Sequence, residues 1–347
     1  MSLPPEVAGT PYAIVLSAFD GAAWLEAQLE SIRRQSAQHW RLYARDDGSR
    51  DGTVERLGEW ARREPRIELL ANDGRNLGPA ASFGVLLQHA LDRGERYVFL
   101  SDQDDVWLPE KCASMLALMR DREAASGPDL PLLVHSDLRV VDRDLAPVHP
   151  SFVAQHGIDA KEEQRGMRLL VGNSVTGCAA LVNAALLRCA LPMPEVAMHD
   201  WWLAQCAAAF GELVFLDEAT VLYRQHGANT VGARGLPERA RAILHSPRAW
   251  WLASARRFLK GLHQDWVLRA RADSRGLAMA APVRQSLDVL WDGLAAAGGT
   301  SFSRMGAARR SGALPRAFVM RCLFLSRVAL LPALRARLGD ERKGVHP

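Results

Sequence analysis

Carboxylate side chains cluster in the sequence directly after two apolar segments of this chain. Residues 101–107 read SDQDDVW, so Asp102, Asp104 and Asp105 follow the apolar run YVFLS, while Asp46 and Asp47 follow a second run. Three carboxylates within four residues repel one another unless a cation or hydrogen bonds offset their charge. Mg²⁺ or Mn²⁺ suits such a place, because it takes one or two carboxylates and fills its shell with water and phosphate oxygens. The alternative is a loop whose last aspartate caps the helix after Pro109.

The segments that carry these acids alternate between strand and helix patterns. Short apolar runs at 12–17, 40–44, 67–71 and 97–101 predict four buried strands, and segments 24–32, 51–63 and 78–93 predict the helices between them. Continuous apolar strands alternating with helices indicate a parallel sheet that is covered on both faces. Ligands of such sheets bind beyond the carboxyl ends of the strands, which is where the acids lie.

Known glycine-rich phosphate-binding patterns are missing from the loops after these strands. Backbone amides alone therefore do not hold a phosphate here, and carboxylates by themselves would repel one. A divalent cation between the acids and a diphosphate reconciles the two charges.

Several ordered motifs resemble those of family 2 inverting glycosyltransferases with the GT-A fold, closest to bacterial rhamnosyltransferase-like members. They span about the first 235 residues and read IVLSAFDG from Ile14, DDGSRDGT from Asp46, NLG from Asn76, SDQDDVW from Ser101, TGCAALVN from Thr176, HDWW from His199 and YRQHGANTVG from Tyr223. The resemblance implies an α/β GT-A domain with a Rossmann-like, mostly parallel sheet flanked by helices, followed by a helical C-terminal extension.

The resemblance also implies a donor site. Ser17 and Phe19 would line the nucleotide pocket, and Asp102 would lie near the ribose or a metal-bound water. Asp47 would accept a hydrogen bond from a uracil- or thymine-type base, with Asp46 as its support. Asp104 and His226 would bind Mg²⁺ or Mn²⁺, although His226 is also readable as a loop histidine that packs on Tyr223.

For the chemistry, the resemblance points to Asp200 as the general base that accepts the proton of the acceptor hydroxyl. His199 stands where the family has a glutamate, so the role of that first position is open. Contacts to the acceptor or the donor sugar are implied for Trp107, Thr176, Gly177, Trp201 and Trp202. Each tryptophan is equally readable as a core residue, and Asp200 as a helix cap.

Beyond residue 235 the composition changes. Residues 236–347 hold 20 Lys and Arg against 7 Asp and Glu, whereas residues 1–235 hold 23 against 32. We expect a catalytic domain over 1–235 and a basic helical region over 236–347. That region would touch an anionic membrane surface, pack on the catalytic domain or form oligomer contacts.

Other sequence features bear on location and class. Five cysteines without a C-x-x-C pair favour a reducing compartment, and no signal peptide is visible, so we expect a cytoplasmic protein, peripheral at the inner membrane face. The uncharged stretch between Arg168 and Arg188 predicts a loop, a strand and a helix rather than a membrane span.

The resemblance implies a metal-dependent transferase that moves rhamnose or a related hexose from a dTDP- or UDP-sugar to a saccharide or lipid-linked acceptor. It places the reaction in surface polysaccharide synthesis, without a nucleic-acid partner. One alternative is a sugar-phosphate nucleotidyltransferase, which usually has a glycine- and lysine-rich loop after its first strand. The other is a non-catalytic lipid- or nucleic-acid-binding protein, which leaves the acidic loops unexplained. The sequence is silent on the oligomeric state.

Overall fold

A computed structural model describes residues 9–158, 168–170, 172–226 and 247–295. Its centre is one sheet of nine strands with the order β3-β2-β1-β4-β8-β6-β9-β5, and β7 pairs with β6. The strands are β1 Tyr12–Ala18, β2 Trp40–Asp46, β3 Ile67–Leu69, β4 Tyr97–Ser101, β5 Val106–Trp107, β6 Leu132–Val141, β7 Pro147–His149, β8 Ala180–Asn183 and β9 Glu212–Arg224.

The first four strands form the predicted parallel half of the sheet. β1 pairs in parallel with β2 and β4, and β2 pairs in parallel with β3. The helices between them are α1 Ala22–Arg33, α2 Thr53–Arg63 and α3 Pro79–Asp92. Every residue of β4 is buried, as the continuous apolar run predicts. The four strand ends therefore bring their acidic loops to one edge.

The predicted α/β fold, a sheet flanked by helices, is confirmed, and the second half of that sheet is mixed. Of the eight strand pairings among the described residues, four are parallel and four are antiparallel. β8 runs antiparallel to both β4 and β6, so it reverses the chain direction at the centre of the sheet. β9 then returns in parallel beside β6 and ends next to the acidic loop after β4.

The remaining helices are α4 Lys111–Ser126, α5 Phe152–His156, α6 Ala184–Ala190, α7 His199–Phe210, α8 Pro247–Arg275 and α9 Ala281–Ala295. The uncharged stretch contains short 3-10 turns at Arg168–Leu170 and Gly177–Ala179, then β8 and α6, which confirms the prediction of a loop, strand and helix. Within the part of the chain that the structure describes, no helix is long and apolar enough to cross a membrane.

Helices α8 and α9 pack against α7 rather than standing apart from it. Gln205 on α7 bonds to both Gln264 and Asp265 on α8, and Ala280 donates its backbone N–H to Ala209 O at 2.7 Å. Gln264 and Asp265 are both fully buried. The predicted domain boundary at 235/236 and most of the basic region lie outside the described residues, so this division stays a prediction.

Candidate active site

The acidic loop after β4 is held by the end of β9. Asp105 is 1% exposed, and its Oδ1 accepts the backbone N–H of Arg224 at 3.1 Å. The Arg224 guanidinium donates to the backbone oxygen of Asp104 at 2.8 Å. Burial, followed by repulsion from Asp104, raises the pKa of Asp105 to about 7. Burial, followed by the charges of Asp104, Asp105 and Asp200, raises the pKa of Asp102 well above its usual value.

Asp104 and His226 come from loops 122 positions apart, yet they meet side by side. His226 Nε2 lies 2.9 Å from Asp104 Oδ2, and both side chains are largely buried, with 12% and 17% of their surface exposed. The sequence predicted these two residues as metal ligands. Carboxylate oxygen and imidazole nitrogen at this separation form a donor pair that can share one ion.

A divalent cation fits the residues around this pair. Asp102, Asp105 and Cys178 each offer one ligand atom, and these three atoms lie within 4.8 Å of one another. Asp105 Oδ2 is buried without a hydrogen-bond partner among the described residues. Such a carboxylate oxygen is costly unless a cation or a proton neutralises it. Burial raises the pKa of the Cys178 thiol well above its usual value. A protonated thiol is a poor ligand, so the oxygens and His226 favour a hard ion such as Mg²⁺ or Mn²⁺.

Gln103 fixes this acidic loop to the loop after β1. Its amide oxygen accepts the backbone N–H of Phe19 at 2.5 Å, and its Nε2 donates to the Phe19 backbone oxygen at 2.8 Å. A Cβ atom on Gly21 would lie 2.5 Å from the Gln103 side chain, so only glycine leaves room for this clamp. Sequence reasoning passed over Gln103, because an uncharged residue between acids carries no signal of its own.

A cleft of about 790 Å³ opens beyond the carboxyl ends of β1, β2 and β3. Its wall includes Asp46, whose Oδ2 accepts the backbone N–H groups of Gly48 and Ser49 at 2.9 Å. Asp46 Oδ1 is buried and has no hydrogen-bond partner within the described ranges. Further lining comes from Phe19, Asp20, Gly48, Ser49, Arg50, Val54, Leu69, Leu70, Ala71, Asn72, Gly74 and Asn76. The cleft combines an apolar wall with one unsatisfied acceptor, which suits a planar base that carries an N–H group.

The assignment of Asp47 to the base, with Asp46 as its support, stays a prediction, and the two carboxylates have different surroundings in this structure. Asp47 is 2% exposed and forms an ion pair with Arg45 at 2.5 Å. Its carboxylate also accepts the backbone N–H groups of Leu77 and Gly78 at 2.9 and 2.8 Å. With these bonds Asp47 holds the loop before α3 in place, and Asp46 faces the cleft.

Phe19 and Ser17, the other two residues predicted for the nucleotide pocket, have different positions. Phe19 lines the cleft and has 47% of its surface exposed. Ser17 does not line it, because its hydroxyl pairs with the Ser82 hydroxyl at 2.7 Å, and Ser82 also accepts from Arg45. Ser17 thus lies behind the wall of the cleft, and its contact with the nucleotide stays a prediction.

Asp200, the predicted base, lies in the first turn of α7. Its Oδ1 accepts the N–H of Trp201 at 2.7 Å, and its Oδ2 accepts the N–H of Gly177 at 3.2 Å. Its carboxylate is close enough to Asp102 to raise the pKa of that residue. Burial raises the pKa of Asp200 itself to about 6, which brings it near the pH at which a general base works best. Thr176 is half-buried beside Gly177, in the turn that faces Asp200.

His199 stacks on Phe83 with ring centroids 3.9 Å apart and an angle of 20°. Both ring nitrogens are buried without a hydrogen-bond partner among the described residues, and burial lowers the pKa to about 3. The ring is therefore neutral beside Asp200. A Cβ atom on Gly177 would lie 2.8 Å from His199 Nε2, so the glycine makes room for the imidazole.

The alternative interpretation of the three tryptophans as core residues agrees with their burial, and their contact with a sugar stays a prediction. Trp107 is 2% exposed and packs on Phe99, and Trp202 is fully buried with its Nε1 donating to Ala190 O at 2.9 Å. Trp201 is 9% exposed and donates to Leu169 O at 2.6 Å. All three indoles are parts of the two hydrophobic cores on either side of the sheet.

Comparison with known proteins agrees with this architecture. Residues 13–131 match the model of glycosyl transferase family 2. The dTDP-rhamnosyl transferase RfbG of Shigella flexneri is 23% identical over 228 residues, which cover 63% of this chain and 74% of RfbG. The putative teichuronic acid biosynthesis glycosyltransferase TuaG of Bacillus subtilis is 30% identical over 114 residues, covering 33% and 43% of the two chains.

Solved structures share the fold. S. aureus TarS, residues 1–349 in complex with UDP-GlcNAc, superposes with a TM-score of 0.51 at 14% identity, over 96% of this chain and 92% of that one. The mannosyltransferase PcManGT of Pyrobaculum calidifontis, in complex with GDP-Man and Mn²⁺, gives 0.50 at 16% identity, over 94% and 84%. The fold is thus the GT-A fold of such enzymes, and the N-terminal region of the chain, residues 13–131, is similar to glycosyl transferase family 2.

Proposed function

We propose that this protein transfers a sugar from a nucleoside-diphosphate sugar to a saccharide or lipid-linked acceptor during bacterial surface polysaccharide synthesis. The donor is a dTDP- or UDP-sugar carrying rhamnose or a related hexose, and the reaction inverts the anomeric configuration. The observation that carries the proposal is that Asp104, His226, Asp102 and Asp200 lie close together at the strand ends. The neighbouring cleft offers Asp46 Oδ1, which has no hydrogen-bond partner among the described residues.

The donor base binds in the cleft beside β2. Asp46 Oδ1 accepts the N–H of a uracil or thymine ring, because it is the buried acceptor there without a partner in the described part of the chain. Phe19 and Leu69 supply the apolar wall against the ring. Asp47 acts indirectly, because its bonds to Leu77 and Gly78 hold the rim of the cleft.

Asp104 and His226 would hold the divalent cation, and Asp102 would lie near the ribose or a metal-bound water. When bound, Mg²⁺ or Mn²⁺ neutralises the diphosphate as it departs. PcManGT, which shares the fold, was solved in complex with GDP-Man and Mn²⁺, and this supports a cation here. Asp102 and Asp105 contribute negative charge that stays costly until a cation arrives.

Asp200 accepts the proton of the acceptor hydroxyl as that oxygen attacks the anomeric carbon from the side opposite the nucleotide. The C1–oxygen bond to the diphosphate breaks as the new glycosidic bond forms, so a single displacement inverts the configuration without an enzyme nucleophile. The Gly177 and Trp201 N–H groups orient the carboxylate for this step. Thr176 and Gly177 border the acceptor side. No described tryptophan is assigned to the sugar.

Two relatives support the biological setting. RfbG is a dTDP-rhamnosyl transferase, and WfgD of Escherichia coli, 22% identical over 191 residues, acts on a diphosphoundecaprenol-linked sugar. We propose a comparable acceptor here, with the enzyme at the cytoplasmic face of the membrane. The basic C-terminal region, eight arginines without an acid between Asp292 and Asp340, supplies the attraction to anionic lipid.

The test is a panel of dTDP-, UDP- and GDP-sugars, with release of the nucleoside diphosphate measured by chromatography in Mn²⁺, Mg²⁺ or EDTA. We expect one donor of the dTDP or UDP class to react with metal only, and Asp104→Asn to lose that activity while Asp73→Asn, an exposed loop control, keeps it. NMR of the transferred sugar would show the configuration opposite to that of the donor. Activity that persists in EDTA, or in Asp104→Asn, would overturn the cation's role.

A further inference from the structure

Trp24 lies in the first turn of α1 and contacts the candidate metal site from outside the acidic loop. Its half-buried indole stacks on the His226 ring, with centroids 5.1 Å apart and an angle of 19° between the planes. His226 is the ring that reaches Asp104. One aromatic side chain thus covers the flat face of a candidate ligand, while the ligand's edge points at the carboxylate.

The His226 ring needs such a support because of where it lies in the chain. β9 ends at Arg224, and Gln225, one residue further, still donates its backbone N–H to Val141 O. The ring torsion of histidine is intrinsically broad, so the backbone alone does not set the ring plane. A metal bonds to an imidazole nitrogen within the ring plane, so stacking on the face fixes direction and leaves the nitrogen accessible.

The Trp24 indole also contacts two arginine side chains near the site. The Arg224 guanidinium carbon lies 4.7 Å from the Trp24 ring centroid, and that of Arg143 lies 5.9 Å away. Arg224 in turn bonds to the Asp104 backbone oxygen and to Asp105 Oδ1. Cation–π attraction therefore links α1 to the end of β9, where Arg224 also bonds to the acidic loop.

We propose that Trp24 is a positioning residue that orients His226 for the divalent cation, an inference that rests on the proposed function. Loss of the indole frees the ring while leaving Asp104 and His226 in the chain. Partners that orient a metal ligand typically contribute about 10- to 100-fold in metal affinity. On that scale we expect Trp24→Leu to weaken Mn²⁺ binding about tenfold and Trp24→Phe, which keeps an aromatic face, to weaken it about twofold.

The measurement is Mn²⁺ binding to the full chain by the EPR signal of the free ion, with UDP or dTDP present. Trp60→Leu is the matched control, because Trp60 donates to Glu26 at 2.8 Å and lies away from the acidic loop. Nucleotide binding without metal and the melting temperature report whether each variant is folded.

A double-mutant cycle separates positioning from general damage. If Trp24 acts through His226, then Trp24→Leu adds no further loss of Mn²⁺ affinity to His226→Ala. Additive losses, or parent-like affinity in Trp24→Leu, would overturn the role of Trp24 while leaving the cation site standing. A parent protein that binds no Mn²⁺ with nucleotide would overturn both this inference and the cation's part in the proposed function.

Discussion

Replacing Asp200 by asparagine should separate activity from stability, because the two depend on its charge in opposite ways. Burial raises the pKa of this carboxyl from 3.8 to about 6. A shift of about 2 units means that the ionised carboxylate costs the native state about 3 kcal/mol above pH 6. An asparagine oxygen still accepts one of the two N–H groups that Asp200 accepts, so about 1 kcal/mol is lost. Asp200→Asn should therefore be about 2 kcal/mol more stable than the parent at pH 8.

The sign of this effect depends on pH. A raised carboxyl pKa means that the native state binds the proton more tightly, so the parent loses stability as the pH rises from about 4 to about 6. The advantage of Asp200→Asn should disappear near pH 4, where the parent carboxyl is protonated. Urea unfolding in EDTA from pH 4 to pH 8 measures this difference, with Asp73→Asn as the exposed control.

Activity should move the other way. Loss of a general base typically costs about 10²- to 10⁴-fold in kcat, and the parent kcat/KM should fall about tenfold per pH unit below about 6, since only the ionised carboxylate accepts a proton. Asp200→Asn should lack this pH dependence. Near-parent turnover in the variant, or a variant that is less stable than the parent at pH 8, would refute the assignment.

Three further perturbations probe the rest of the site. Asp46→Asn should weaken nucleoside-diphosphate binding about tenfold or more by calorimetry, because a buried acceptor loses its charge, with Asp73→Asn unchanged; equal affinities would return the base contact to a different residue. Gly177→Ala should lower the free energy of unfolding by about 1–3 kcal/mol, because the new Cβ meets His199 Nε2 at 2.8 Å; unchanged urea unfolding would contradict that packing. Mn²⁺ affinity should fall about tenfold from pH 8 to pH 6, because the Asp105 carboxyl, with a pKa of about 7, must lose its proton beside the cation. A flat profile in calorimetric titrations would count against a cation next to Asp105.

The parallel half of the sheet was predictable because its strands are buried on both faces. The run 97–101 matches β4 residue for residue, and the run at 12–17 is extended in β1 only by Ala18. The predicted third strand, 67–71, is shorter in the structure, where β3 ends at Leu69 and the chain turns into the wall of the cleft. In the mixed half the sequence predicted β8, whereas two- and three-residue strands such as β5 and β7 were missed because they carry no usable periodicity.

Site residues were predictable by type and position, and less so by orientation. The motifs identified both Asp46 and Asp47, but neighbouring residues at a strand end point to opposite sides, so sequence spacing does not say which one reaches the cleft. Arg45 decides it, since its buried guanidinium pairs with Asp47. Orientation also decides where the tryptophans of α7 lie. Every residue of this helix from His199 to Ala209 is buried, so no exposed face was left for a sugar along that stretch.

The acidic loop illustrates why a short motif needs distant residues to become a complete site. Asp102, Asp104 and Asp105 lie within four residues of the sequence, and burial raises the free-energy cost of their shared negative charge. The fold offsets part of that cost from outside the motif, because Arg224 at the end of β9 and His226 just after it bond to the acidic loop. Within the motif, Gln103 anchors the loop to Phe19, after β1. Since part of the charge remains unbalanced, the free site is less stable than it would be with a cation. Under the proposed function, the same imbalance would favour a metal–diphosphate donor, because binding the cation would neutralise the acids and the attached phosphates together.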